Sequence, residues 1–234
     1  MRGDIHGTER EPRRDEGSRG KQQPPPGGMP APGRLTERRR EVLLIESDTS
    51  NPDVWKAYRE AVTCELVDLD EADGWIQLVN LCDQHRELDV VINTAARNNR
   101  GVAAYGMMLA NTLGELQREL ITFWVINRQR DSLELLKEYL ETIDGTKVHV
   151  IRNGYFGDEA KFELYNGSKV RQLVEARGGK SVLFPDLADR VSDDLYSKRM
   201  AIGTALKSLP IGNRAELLRW RGEAGKVLTE LMSP

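Results

Sequence analysis

From Leu35 onward, short apolar runs alternate along the chain with longer stretches of helical period. Val42-Leu43-Leu44-Ile45 is a continuous apolar run, the mark of a strand buried on both faces. Asn51-Pro52-Asp53 opens a helix through about Val62, with proline in its first turn and Trp55, Tyr58 and Val62 at helical spacing. Leu66-Val67 reads as a short strand, and Asp70 or Asp73 as the cap of a helix bearing Trp75, Leu78, Val79 and Cys82. Leu88 to Ile92 is a second buried strand, Ala103 to Leu120 a helix, and Ile121 to Ile126 a third buried strand. Asp131-Ser132 caps a helix with Leu135, Leu136, Tyr139 and Leu140 on one side. Val148 to Ile151 and Ser181 to Phe184 follow as strands, with a helix over 167–177 between them. From about Asp186 the pattern is helical, with a break near Leu209-Pro210-Ile211-Gly212. Strands alternating with helices predict an α/β fold with a mostly parallel sheet flanked by helices.

The first forty residues differ in kind. They hold ten basic and six acidic side chains and six of the ten prolines, and up to Gly33 the only large apolar residues are Met1, Ile5 and Met29. Such a stretch buries too little surface to offset its ordering entropy. Residues 1–34 are therefore expected to be a disordered Arg/Pro/Gly-rich tail, and 35–234 an α/β domain with a helical C-terminal part. The remainder of the chain is acidic, for a net charge of -3 overall and a mean hydropathy of -0.54. No window approaches the roughly 20 apolar residues of a membrane span, and the charged N-terminus is not a secretory signal. Two cysteines, Cys64 and Cys82, fit a reducing compartment, so a cytoplasmic location is expected.

In open α/β sheets ligands bind beyond the carboxyl ends of the strands. Those ends are polar here: Glu46-Ser47-Asp48-Thr49-Ser50-Asn51, Asn93-Thr94, Asn127-Arg128-Gln129-Arg130, Arg152-Asn153-Gly154 and Pro185-Asp186. A coincidental array of turns and caps would look similar. Arg97, Arg100, Arg128, Arg130 and Arg152 gather near the same edge, as candidate anion or DNA contacts or as a solvated, ion-paired rim.

Leu44-Ile45-Glu46-Ser47-Asp48 resembles the strand and D-x-D segment of the ParA/MinD-type deviant Walker P-loop ATPases of plasmid partition, cell-division siting and mobilisation. Leu88 to Thr94 resembles their Walker B strand, Ser132-Leu133 their Ser-Leu helix, and Val148 to Asn153 the strand whose terminal asparagine contacts adenine. Val182 to Pro185 resembles the later strand and base-flanking proline. These matches, in family order from 42 to about 200, are most similar to the plasmid stability and mobilisation branch. The resemblance implies a P-loop NTPase-like fold, ATP and Mg²⁺ as cofactors, and a homodimer. It implies a partition or mobilisation protein and non-specific DNA as partners. It assigns Asp48 as the residue that positions the attacking water, Asp48 and Asn93 to the metal, and Glu46, Asn93, Thr94, Asn153 and Pro185 to the nucleotide.

Two departures bear on activity. The family's Gly-rich loop cradles phosphate with backbone N–H groups, a lysine and a hydroxyl. Upstream of Val42 only Gly17-Ser18-Arg19-Gly20-Lys21-Gln22 offers a Gly-Lys pair, with no apolar strand before it and Pro24-Pro25-Pro26 after it. Asn93 also replaces the Walker B carboxylate that hard cations favour. The sequence thus predicts a nucleotide-binding switch that is catalytically impaired. The alternative is a non-catalytic interaction or DNA-binding adaptor on the same scaffold. In this family the missing strand is central and adjoins the Walker B strand, so a gap, a non-native filler or marginal stability is expected there. The compositional switch before Leu35 leads to the expectation that a shifted frame or misplaced start replaced that strand.

Other constellations have plain readings. Cys82 and His85 have C-x-x-H spacing, but a zinc site needs about four ligands, so a buried helix cysteine beside a surface histidine is expected. Asp68, Asp70, Glu71 and Asp73 suit the dipole at a helix start better than a cation. Tyr155, Phe156, Phe162 and Tyr165 could stack on a base but are expected mostly in the core, and Trp220 with Leu217, Leu218 and Val227 makes an amphipathic C-terminal helix expected to pack within the molecule rather than in a partner's groove. No G-x-G-x-x-G follows a predicted strand, which disfavours a Rossmann-like dehydrogenase.

Overall fold

The computed structural model describes residues 41–94 and 98–233. The expected tail over 1–34, its Gly-Lys pair and Arg97 lie outside those residues. The chain order is β1 (Val42–Glu46), α1 (Asp53–Tyr58), β2 (Thr63–Leu66), α2 (Ala72–Gln84), β3 (Asp89–Asn93), α3 (Asn99–Leu116), β4 (Ile121–Ile126) and α4 (Arg130–Thr142). β5 (Lys147–Asn153), α5 (Glu163–Asn166), α6 (Lys169–Ala176), β6 (Ser181–Phe184), α7 (Asp189–Ser197), α8 (Ile202–Ser208) and α9 (Ile211–Met232) complete it.

Strand pairing is parallel throughout and falls into two sheets, β2-β1-β3 and β4-β5-β6. β1 pairs with β2 on one side and β3 on the other, so the β2–α2–β3 crossover passes over β1. Right-handed crossovers running in opposite directions put α1 and α2 on opposite faces. α3 packs between α2 and α4, and α6 packs on α4, so these four helices share one face. Continuing right-handed from β3, β4 then lies beyond β3 on the side away from β1. Among the described residues, no strand pairs with the inner edge of either β3 or β4.

Side-chain periodicity follows this layering. Leu43 and Ile45 of β1, with Val90 and Ile92 of β3, pack against Trp75, Leu78 and Cys82 of α2 and Leu109 and Leu116 of α3. Trp124 and Ile126 of β4, with Val148 and Val150 of β5, join Leu136 and Leu140 of α4, Phe162, Tyr165 and Val174 in a second cluster. A third, purely helical cluster centres on Val191, Ala205, Leu209 and Leu217. On the other face, Trp220 of α9 meets the Phe184 ring edge-on at 5.9 Å and donates from Nε1 to the Pro185 carbonyl at 2.8 Å. Trp220 and Leu217 thus pack within the molecule, whereas Leu218 of the same helix is exposed, as are Tyr155 and Phe156, while Phe162 and Tyr165 are buried.

Boundaries moved for local reasons. α1 ends at Tyr58 because the chain turns into β2, whose Thr63 already pairs with Leu43. α3 starts at Asn99, four residues before the apolar period begins, since Gly101 lets its first turn sit against Leu69. The C-terminal helical region breaks twice. Arg199, at a φ of 49°, separates α7 from α8, and Pro210 opens α9.

His149 of β5 carries one pH-dependent consequence. It is 1% exposed, its ring stacks on Phe123 at 6.0 Å, and its Nδ1 accepts from the Lys180 backbone N–H at 3.0 Å. Nε2, which must then bear the proton, is buried without a hydrogen-bond partner. Burial, and then Lys147 and Lys180, hold its pKa below the ordinary 6.5. A base with a lowered folded pKa takes up protons more readily when unfolded, so stability falls as pH drops through about 6.5 and below. Between pH 7.5 and 5.5 the wild type is expected to lose more stability than His149→Gln, measured by urea unfolding; equal losses would contradict this.

Candidate functional site

β1 and β3 are neighbours whose following helices leave on opposite faces of the sheet. Such a switch point opens a crevice at the carboxyl ends of the two strands. Glu46 and Asn93 stand in register there.

The crevice floor is a carboxylate with its lone pairs spent. Glu46 is fully buried. Its Oε1 accepts from the Asp48 backbone N–H at 3.0 Å and from Asn93 Nδ2 at 2.8 Å. Oε2 accepts from the Trp55 N–H in the first turn of α1 at 3.4 Å. Glu46 therefore staples β1, β3 and α1 together. The amide of Asn93 must turn its nitrogen toward this carboxylate, because its oxygen would oppose another acceptor.

A second chain of polar groups runs on the opposite face. Ser47, fully buried, donates from Oγ to Asn98 Oδ1 at 2.7 Å, and Asn98 Nδ2 donates to Asp70 Oδ1 at 2.9 Å. This network links the end of β1 to the start of α3 and the loop before α2. The sequence reading did not find it. The sequence predicts Asp70 or Asp73 as the cap of α2; Glu71 holds the cap position, Asp73 lies in the first turn, and Asp70 receives Asn98. No local pattern signals a bond between residues this far apart in sequence.

Asp48 lies at the crevice rim, half-buried, with Oδ1 accepting from the Asn51 N–H at 3.2 Å. Thr94 is exposed beside it. The remaining predicted residues stand across the break. Ile126 pairs with Arg152, and Asn153 with Phe184, so Asn127, Asn153 and Pro185 line the carboxyl edge of the second sheet. Each is engaged locally. Asn153 Oδ1 accepts from the Tyr155 N–H at 3.0 Å, Asn127 Oδ1 accepts from the Gln129 N–H at 2.8 Å and Ser132 Oγ at 2.7 Å, and Pro185 lies under Trp220. The predicted residues thus form two groups, Glu46, Asp48, Asn93 and Thr94 on one side and Asn153 and Pro185 on the other.

The arginine rim is thinner than expected. Arg152 is buried, donating to Glu159 Oε1 at 2.5 Å, Asn166 Oδ1 at 3.1 Å and the Ser181 carbonyl at 3.2 Å. Arg128 and Arg130 are exposed, and Arg130 pairs with Glu134 at 3.1 Å. Cys82 is buried, its thiol pKa pushed up mainly by desolvation. Among the described residues no group of three or more His, Cys, Asp or Glu is placed to hold a metal ion. A cavity of about 30 Å³ between α3 and α4, lined by Val102, Leu135 and Tyr139, takes a water and not a purine.

Comparison with known proteins decides the relationship. Protein MobD of Acidithiobacillus ferrooxidans is 72% identical over 194 residues, covering 83% of this chain and 86% of that protein. The chain belongs to the MobD family. No family model matches the sequence, and no solved structure matches it. No helix among the described residues is long and apolar enough to cross a membrane.

Proposed function

We propose that this chain is a ParA/MinD-like protein of plasmid mobilisation, built on a nucleotide-switch scaffold whose nucleotide chemistry is impaired and acting through contacts with partners. One observation carries the reading: parallel strands in the order β2-β1-β3 and β4-β5-β6, with polar strand ends on both sides of the break. The relative's name, MobD, supports the mobilisation branch.

Mg-ATP does not fit the residues described. Glu46 and Asn93 are bound to each other, which leaves Asp48 as the one candidate metal carboxylate, and a lone carboxylate repels phosphate. Phosphoryl transfer depends on positioning and charge neutralisation, and the described residues supply little of either. The purified chain is expected to show no saturable Mg-ATP binding by calorimetry and no phosphate release above buffer. Turnover abolished by Asp48→Ala would overturn the impairment. In a mobilisable plasmid, loss of the coding sequence is expected to lower transfer frequency, with wild type and Asp48→Ala restoring it equally. Unchanged transfer after the loss would defeat the mobilisation role.

A second reading, a DNA-binding adaptor, is favoured by exposed Arg128 and Arg130 and by the basic composition of residues 1–40. It requires affinity for duplex DNA that falls steeply with salt and is unaffected by ATP.

A further inference from the structure

α9 is uncharged on two opposite faces, and only one of them is covered. Leu217, Ala224 and Leu231 turn inward along one line, with Leu217 and Trp220 in the helical cluster. Ile211, Leu218 and Met232 stand on the other side, 78%, 57% and 62% exposed. Their spacing in multiples of seven residues puts them, with Gly225, on one line along the helix. Ala215, Gly222 and Thr229, each four residues beyond a member of that line, form a second exposed line beside it. Together the two lines occupy the d and a positions of consecutive heptads, and no charged residue falls among them.

A solvated helix in this molecule looks different. α4 exposes Arg130, Asp131, Glu134, Lys137, Glu138 and Glu141, every one of them charged. Gly222 and Gly225 add to the contrast, because glycine in a helix interior weakens the helix. Among the described residues nothing lies within 4 Å of a Cβ added at either position. Close packing inside the chain therefore does not account for them, whereas a second helix crossing this face would come nearest there.

The bordering positions select what lies on the face. In heptad order the e and g positions of α9 are Gly212, Arg214, Arg219, Arg221, Lys226 and Leu228, and every charged one is basic. Arg219 also bridges Glu216 and Glu223 of its own helix, at 2.7 and 2.6 Å. In a helix pair, e and g residues meet those of the partner and set its identity. A second copy of α9 would oppose cation to cation in either orientation, so charge disfavours self-association and selects an acidic partner. An anionic bilayer would also attract these cations. Insertion there depends on bulky apolar side chains, and Ala215, Gly222, Gly225 and Thr229 supply little to bury.

We infer that the outer face of α9 is the docking site for one amphipathic helix of a partner protein, with large apolar residues at a and d and Asp or Glu at e and g. Its bulky side chains fill the space over Gly222 and Gly225, and its carboxylates meet Arg214, Arg221 and Lys226. The inference rests on α9 alone and stands apart from the mobilisation reading and from nucleotide.

The test titrates the full chain into a fluorescent peptide of about four heptads, with Leu at a and d and Glu at e and g, which repels itself at neutral pH. Saturable one-to-one binding by anisotropy is expected, with slower amide exchange in α9. Replacing Glu by Lys at e and g of the peptide should weaken binding about ten-fold or more. Leu218 is exposed in the free chain, so Leu218→Glu leaves the fold intact. That variant should bind about ten-fold more weakly, as loss of a central anchor does. Gly222→Gln separates docking from folding: it raises helix propensity, and so stability, yet obstructs the approach and should weaken binding about ten-fold. Absence of saturable binding, equal affinity for the two peptides, protection outside α9 instead, or indifference to either substitution would overturn the inference. So would dimerisation of the free chain through α9, or binding to phosphatidylcholine–phosphatidylserine vesicles in place of the peptide.

Discussion

Glu46→Ala is expected to remove about 3–5 kcal/mol of stability, enough to unfold much of the protein. The side chain is fully buried and accepts from three donors: the backbone N–H groups of Asp48 and Trp55 and the amide of Asn93. Alanine leaves all three without an acceptor, and each orphaned buried donor costs about 1–3 kcal/mol. Glu46→Gln keeps one acceptor oxygen and should lose about 1–2 kcal/mol. The pairing also explains Asn93. Asn93→Asp would set two acidic groups 2.8 Å apart rather than create a metal ligand. That variant should be destabilised at pH 7 and less so under acid conditions. Urea unfolding monitored by tryptophan fluorescence measures all three. An Asn93→Asp protein as stable as wild type, or one that gains Mg²⁺ binding, would contradict this description of the crevice.

Gly101→Ala is the second large effect, with an expected loss of about 3 kcal/mol. A Cβ at Gly101 would stand 1.8 Å from the Leu69 carbonyl oxygen and 2.8 Å from its carbon. Both are backbone atoms of the loop between β2 and α2, so relief requires α3 to lift. That shift would strain the Ser47–Asn98–Asp70 chain, because Asn98 immediately precedes α3. Gly114, in the last turns of the same helix, has nothing within 4 Å of an added Cβ. Gly114→Ala should therefore stabilise by about 0.5–1 kcal/mol, since it restricts only the unfolded chain. Opposite signs at two glycines of one helix separate close packing from helix propensity. Destabilisation at both, or at neither, would mean that α3 does not approach Leu69 as described.

The α/β class and the alternation of elements were legible because buried parallel strands are short and apolar while their helices are periodic. β4 and β6 occupy the residues that the pattern marks, Ile121–Ile126 and Ser181–Phe184. Less legible was whatever depends on register. Glu46 and Asn93 read as two separate ligands, because nothing in a linear sequence says that they are cross-strand neighbours. Arg152 read as a rim residue because it ends a strand. Its position in the two-residue period, on the same face as Val148 and Val150, carried the opposite information. The break at Arg199, where the backbone is left-handed, has no proline or glycine to announce it.

The central claim is that, among the described residues, the parallel strands fall into two sheets in which β3 and β4 each pair with a single strand. Amide hydrogen exchange of the free, full-length chain, resolved strand by strand, tests it most directly. β1 and β5, paired on both sides, should be the most protected strands, with β3 and β4 exchanging at rates close to those of the outer edges β2 and β6. Protection of β3 and β4 equal to that of β1 and β5 would show one continuous sheet and contradict the account.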